Sequence, residues 1–140
     1  MRTIANVPPT TGGAAPLRRA LSHYWAHTPG YQRVAYLAAA ALILSGLFHG
    51  VVMLLVRDPI AGDVSFRKPA TFGLSFGMTL ATMAWFLDHL PRHRLVGWLV
   101  MLVLSGAMVF EVFAVTLQRW RGVPSHFNFA TPFDAAIFGS

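Results

Sequence analysis

The sequence predicts an all-α polytopic membrane protein: a transmembrane helical bundle with three complete spans, the start of a fourth helix, and a polar, disordered amino-terminal tail. Three observations predict it. Apolar runs at residues 34–56, 71–90 and 95–117 each approach or exceed the ~20 residues that carry a helix across a hydrocarbon core. Of 140 residues, 55% are hydrophobic and 11% charged, with mean hydropathy +0.54, whereas a soluble domain is about one quarter charged. Short polar clusters at Arg57, Asp58 and Pro59, and between Asp88 and Arg94, punctuate the runs.

Residues 1–33 form a separate amino-terminal segment, and residues 34–140 the transmembrane domain. Residues 6–16 combine proline, glycine and threonine with little to bury, which predicts disorder. Arg2 is not followed by an apolar core, so this is not a secretory signal peptide and the first span is expected to stay as an anchor. Residues 17–32 mix Arg18, Arg19, His23 and His27 with Leu17, Leu21, Tyr24 and Trp25. That pattern fits either a short interfacial helix broken near Pro29 and Gly30 or a solvated linker.

The first span makes roughly 35 Å of helix, enough to cross with some tilt. At about 100° per residue, Ala38, Leu42, Ser45, His49 and Met53 share one face, and small residues there allow a neighbouring helix close. An intramembrane histidine has two readings. It hydrogen-bonds another helix, or it serves as a proton relay, a ligand contact, or a metal or haem ligand.

In the second span, Thr71, Ser75, Thr79 and Thr82 line one side, while Gly73, Gly77, Ala81 and Ala84 line the opposite side. Gly73 and Gly77 form a small-xxx-small pair suited to helix contact. The hydroxyls can be satisfied by carbonyls of their own helix, so packing is the expected role of both faces.

The third span carries Glu111. Ala107, Glu111, Ala114 and Gln118 fall within a sector of about 60°, offering a carboxylate and an amide to one neighbour, and a charged glutamate facing lipid would be untenable. The first and third spans run in the same direction, and His49 and Glu111 each lie shortly past the midpoint. They therefore sit at similar depth, and the antiparallel second span brings Ser75 and Thr79 to that depth. One histidine and one carboxylate fall short of a metal site, and haem would want a second axial ligand, for which His126 is the evident histidine. No metal or cofactor is expected.

The side where spans one and three end is the chemically denser one. Arg67 and Lys68 stand at the mouth of the second span; Arg119 and Arg121 follow the third and suit a headgroup, a carboxylate or a phosphate. His126 and Asn128 are polar among aromatics. Thr131 and Pro132 read as the cap and first turn of a helix starting at about residue 132, with Asp134 in that turn.

The chain is basic, with formal charge +6 and pI about 11.2. Its cations sit in the tail and beside the spans, as headgroup anchors do, and no nucleic-acid fold signature accompanies them, so nucleic acid is not an expected partner. Basic residues flank the two ends of the spans in equal number, so charge bias does not set the orientation. Cysteine is absent, which removes disulfides, thiolate metal sites and cysteine nucleophiles.

Gln118, Arg119, Arg121, Gly122, Ser125, His126, Phe127, Asn128, Thr131, Pro132, Phe133 and Asp134 together resemble the QxxRGxxSHFNxxTPFD-type signature of a large, uncharacterised family of bacterial polytopic membrane proteins. Arg67, Lys68 and Pro69, followed by Phe72, Ser75 and Thr79, are similar to its second-span motif, and Glu111 occupies a matching acidic position. The resemblance implies a multi-pass protein of the bacterial cytoplasmic membrane with further spans, of which this chain looks like the amino-terminal part. It implies no reaction. The functional expectation is a noncatalytic integral membrane component that binds a ligand, lipid or partner through Arg67, Lys68, Arg119, Arg121, His126, Asn128 and Asp134. Its partners would be the lipid bilayer and either further transmembrane helices or a second copy. The alternative is proton-coupled transport or membrane-embedded catalysis by His49 and Glu111.

Overall fold

The computed structural model describes residues 14–59, 62, 64–90, 93–125 and 129–138, and the elements formed among them are all helical. They are α1 (Ala14–His27), α2 (Gly30–Leu55), α3 (Arg67–Phe86), a 3-10 turn (Leu87–His89), α4 (Arg94–Trp120) and α5 (Pro132–Phe138). The tail read as disordered falls outside the described residues, apart from its last three positions. Those open α1, with Pro16 in the first turn, where its missing N–H costs no helical bond. Pro29 is extended, with φ −56° and ψ 148°, and separates α1 from α2.

Three helices, α2, α3 continued through its 3-10 turn, and α4, are long and apolar enough to cross a membrane. Their outward surfaces agree. Leu44, Leu54, Leu95, Leu99, Val103 and Phe113 are all exposed, a far larger apolar area than a water-facing fold leaves open.

α2 and α3 meet along bare backbone. A Cβ on Gly73 would lie 2.8 Å from both Cα and N of Gly46, and one on Gly46 would lie 2.7 Å from the Leu74 nitrogen. Gly77 faces the Ala39 carbonyl in the same way, at 2.8 Å. Glycine is needed at this seam for space rather than for backbone conformation. α4 then covers the pair, Met101 and Val112 joining a core of Ala35, Ala39 and Leu42 from α2 with Leu80 and Ala84 from α3. At the other end the Tyr31 ring lies against Gly97 and edge-on to Trp98, 6.2 Å between centroids.

The two parallel spans end alike. At α4, Gly122 (φ 72°) donates its N–H to Arg119 O at 3.0 Å and Val123 to Gln118 O at 3.1 Å, the Schellman pattern that satisfies the last carbonyls. At α2 the same pattern runs from Arg57 to Leu54 O and from Asp58 to Met53 O, but the left-handed position is held by Arg57 (φ 53°) rather than glycine. Both reversals fold the following polar residues back over the helix ends, which is what assembles the site.

Candidate functional site

His49 sits on the last turns of α2, buried. Its Nδ1 lies 2.7 Å from the Ser45 carbonyl, and Trp120 of α4 donates its indole N–H to Nε2 at 3.2 Å. A carbonyl can only accept and an indole N–H can only donate, so the proton is on Nδ1 and the ring is the neutral Nδ1–H tautomer. Phe66 lies alongside the imidazole, 6.1 Å between centroids and 26° from parallel, and the Arg119 guanidinium covers the Phe66 ring at 3.8 Å.

Asp58, delivered by the α2 reversal, joins three elements. One carboxylate oxygen accepts the Phe66 N–H at 2.6 Å at the start of α3, and the other accepts from Arg119 of α4 at 2.9 Å. The Ser65 hydroxyl donates to Pro59 O at 2.8 Å and accepts the Arg67 N–H at 3.2 Å. Between them Asp58 and Ser65 satisfy amides at the entry to α3 that have no helical partner. The Phe66 amide, helped by Ser65 and Arg119 and opposed by burial, holds the Asp58 carboxyl below the usual range.

Asp134 ties α5 to the end of α4. Its Oδ1 accepts from Gln118 at 3.0 Å and from Arg121 at 2.5 Å, while Oδ2 accepts from the Thr131 hydroxyl at 2.7 Å. Arg121 also donates to Gln118 Oε1 at 2.6 Å, closing the ring of contacts. Thr131 caps α5, accepting the Asp134 N–H at 3.1 Å. Donation from Thr131, then Gln118 and Arg121, lowers the Asp134 carboxyl to about 2. A carboxylate held there is a poor proton acceptor near neutral pH, so the layer is suited to holding elements together rather than to acid–base work.

A second polar layer lies at the opposite end of the bundle. The Gln32 amide, fully buried, donates to Ala84 O at 2.8 Å and to Asp88 at 3.0 Å. Tyr24 of α1 donates its hydroxyl to the other Asp88 oxygen at 2.9 Å and therefore accepts from Tyr36 at 2.9 Å. Burial, reinforced by Tyr36 and Asp88, pushes the Tyr24 phenol above its ordinary range, so it remains a donor. Arg33 bonds the carbonyls of Ala26 and Thr28, both at 2.9 Å, and lies over the Trp25 ring, which fixes the elbow between α1 and α2.

No family model, curated protein or solved structure matches this chain. Geometry alone must therefore sort the residues that the sequence singles out.

Gln118, Arg121 and Asp134 come together, and Arg119 finds Asp58, a residue the sequence reading passed over. His49 takes its partners from Ser45 and Trp120; Glu111 is half-buried and stands nine positions, about 13 Å of helix rise, before Trp120. Ser75 and Thr79 are exposed on α3, and Ser75 bonds the Phe72 carbonyl of its own helix. They do not join the layer. Arg67 is exposed and Lys68 half-buried, and neither side chain has a partner among the described residues; the same holds for exposed Arg57. His126 and Asn128 lie outside the described residues. The tail-side group of Gln32, Asp88, Tyr24 and Tyr36 was not anticipated, although a glutamine and an aspartate bordering apolar runs are a signal that could have found it.

Proposed function

We propose that this chain is a noncatalytic component of the bacterial cytoplasmic membrane, related to the polytopic family whose signature it resembles, and that it binds anionic lipid headgroups where α2 and α4 end and α3 begins. The observation that carries this reading is a division among the charges of one layer. Asp58 and Asp134 are neutralised by Arg119 and Arg121, whereas Arg57, Arg67 and Lys68 are left without side-chain partners among the described residues. Arg67 and Lys68 occupy the first turn of α3, which carries no acidic residue. Cations at the positive end of a helix dipole are disfavoured, and an anion bound there would offset that cost. The boundary of a membrane span supplies such an anion in its phosphates.

The full chain, purified in mild detergent and mixed with phosphatidylglycerol and phosphatidylcholine of matched acyl chains, provides the test by native mass spectrometry. R67Q/K68Q is expected to lose at least one bound phosphatidylglycerol at unchanged phosphatidylcholine. Retention equal to the unaltered protein would sink the reading. Proton handling by His49 and Glu111 has less support, because both ring nitrogens of His49 are already occupied.

A further inference from the structure

α1 is amphipathic around its whole circumference. At about 100° per residue, Leu17, Leu21, Tyr24 and Trp25 share one side, Arg19, His23 and His27 the other, and Arg18 lies at the border beside Trp25. Between this apolar side and α2 runs a groove of about 610 Å³, lined by Arg18, Leu21, Ser22, Tyr24, Trp25 and Tyr36.

The polar atoms of that lining are almost all spent. The Tyr24 and Tyr36 hydroxyls bond each other and Asp88, so their rings are what they offer the groove. The Ser22 hydroxyl donates to the Arg19 carbonyl of its own helix at 2.9 Å. What remains is an apolar trough whose lining includes one guanidinium, Arg18, with no side-chain partner among the described residues. The trough is also fixed in advance, by the Arg33 elbow at one end and the Tyr24–Asp88 bond beside it, so an occupant need not order it. It opens at the amino-terminal end of α2, a helix long and apolar enough to cross a membrane, and the ends of such helices are where headgroups are met.

We propose that the groove between α1 and α2 binds a single anionic phospholipid, with an acyl chain along Leu21, Trp25 and Tyr36 and its phosphate on Arg18. The trough length of carbon surface selects a lipid over free phosphate, and the single cation selects an anionic lipid over a zwitterionic one. This site stands at the end of α2 opposite Arg57, so it succeeds or fails independently of the Arg67 and Lys68 site.

The full chain is incubated with phosphatidylglycerol and phosphatidylcholine of matched chains, and bound lipids are counted by native mass spectrometry, with circular dichroism confirming helix content. R18Q is expected to lose one retained phosphatidylglycerol, with phosphatidylcholine retention unchanged. L21W, which fills the trough from an exposed position, is expected to lose the same lipid while Arg18 remains. R67Q/K68Q should leave that lipid in place. Retention by both R18Q and L21W would overturn the proposal, and loss in L21W alone would overturn its charge selection. Loss in R18Q but not in L21W would show a headgroup contact without the groove, which also contradicts it.

Discussion

α2 meets α3 along bare backbone, whereas it meets α4 mainly through side chains that reach across for particular partners. The first joint works by the absence of atoms at Gly46, Gly73 and Gly77. The second works by their presence: Tyr31 against Gly97, Trp120 on His49, Arg119 on Asp58. In lipid this difference matters, because apolar side chains gain little by leaving one hydrocarbon environment for another, and close packing or polar pairing must hold helices together. The seam should therefore tolerate no added volume at any pH. The α4 joint should respond to chemistry and to acid.

The largest expected effect is at the seam. Gly73→Val places methyl groups on the Gly46 backbone and should destabilise the bundle by about 3 kcal/mol, the upper end of ordinary overpacking. Gly106→Val, on α4 where nothing lies within 4 Å, should change stability by less than about 0.5 kcal/mol. Unfolding in detergent with increasing denaturant, followed by helix content, measures both. Equal effects would erase the distinction between the joints.

Asp58→Ala comes next, with an expected loss of about 2 kcal/mol, because it removes a charged acceptor from the Phe66 amide and from Arg119 together. Acid should reproduce part of this loss. The folded-state carboxyls of Asp58 and Asp134 are lowered, so their stabilisation is complete above the unfolded value, about 3.9, and disappears as pH falls through the folded one, about 2 for Asp134. The part of Tm in detergent that these two carboxylates supply, read as the difference from D58N/D134N, should be level from neutrality to about pH 5 and fall below pH 4. D134N should be less stable than the unaltered protein at pH 6, with the gap closing by about pH 2. A gap that is constant over this range would remove Asp134 from the account.

The smallest effect expected at a position under structural constraint is a gain. Arg57 holds a left-handed backbone position that costs a non-glycine residue about 1 kcal/mol, so R57G should stabilise the chain by up to about that amount. A loss in its place would mean that the Arg57 side chain holds a partner.

The spans were legible in the sequence because lipid turns composition into a physical requirement. Their ends were not. α2 starts at Gly30, ahead of its apolar run, and includes Gln32, a polar residue whose complete burial depends on the Ala84 carbonyl and on Asp88 more than fifty positions away. The site divides in the same way. Gln118, Arg121 and Asp134 are near neighbours in sequence and fall within one motif. Asp58, the partner of Arg119, lies 61 positions away and carries no local signal. Helical period placed Ser75 and Thr79 opposite Gly73 and Gly77, so once the glycine face forms the seam with α2 the hydroxyl face must turn outward. Position along the spans predicts at most one coordinate of three for His49 and Glu111, and it carries no signal for the Trp120 indole that donates to the His49 Nε2.

That indole gives the most direct test of whether this polar layer is a structural lock. In the full chain reconstituted in bilayers, with histidine labelled with ¹⁵N and H49Q used to assign the signal, solid-state NMR at neutral pH should find His49 as the Nδ1–H tautomer, with Nε2 unprotonated and accepting from Trp120. A proton on Nε2, or an imidazolium sharing its proton with Glu111, would contradict the account.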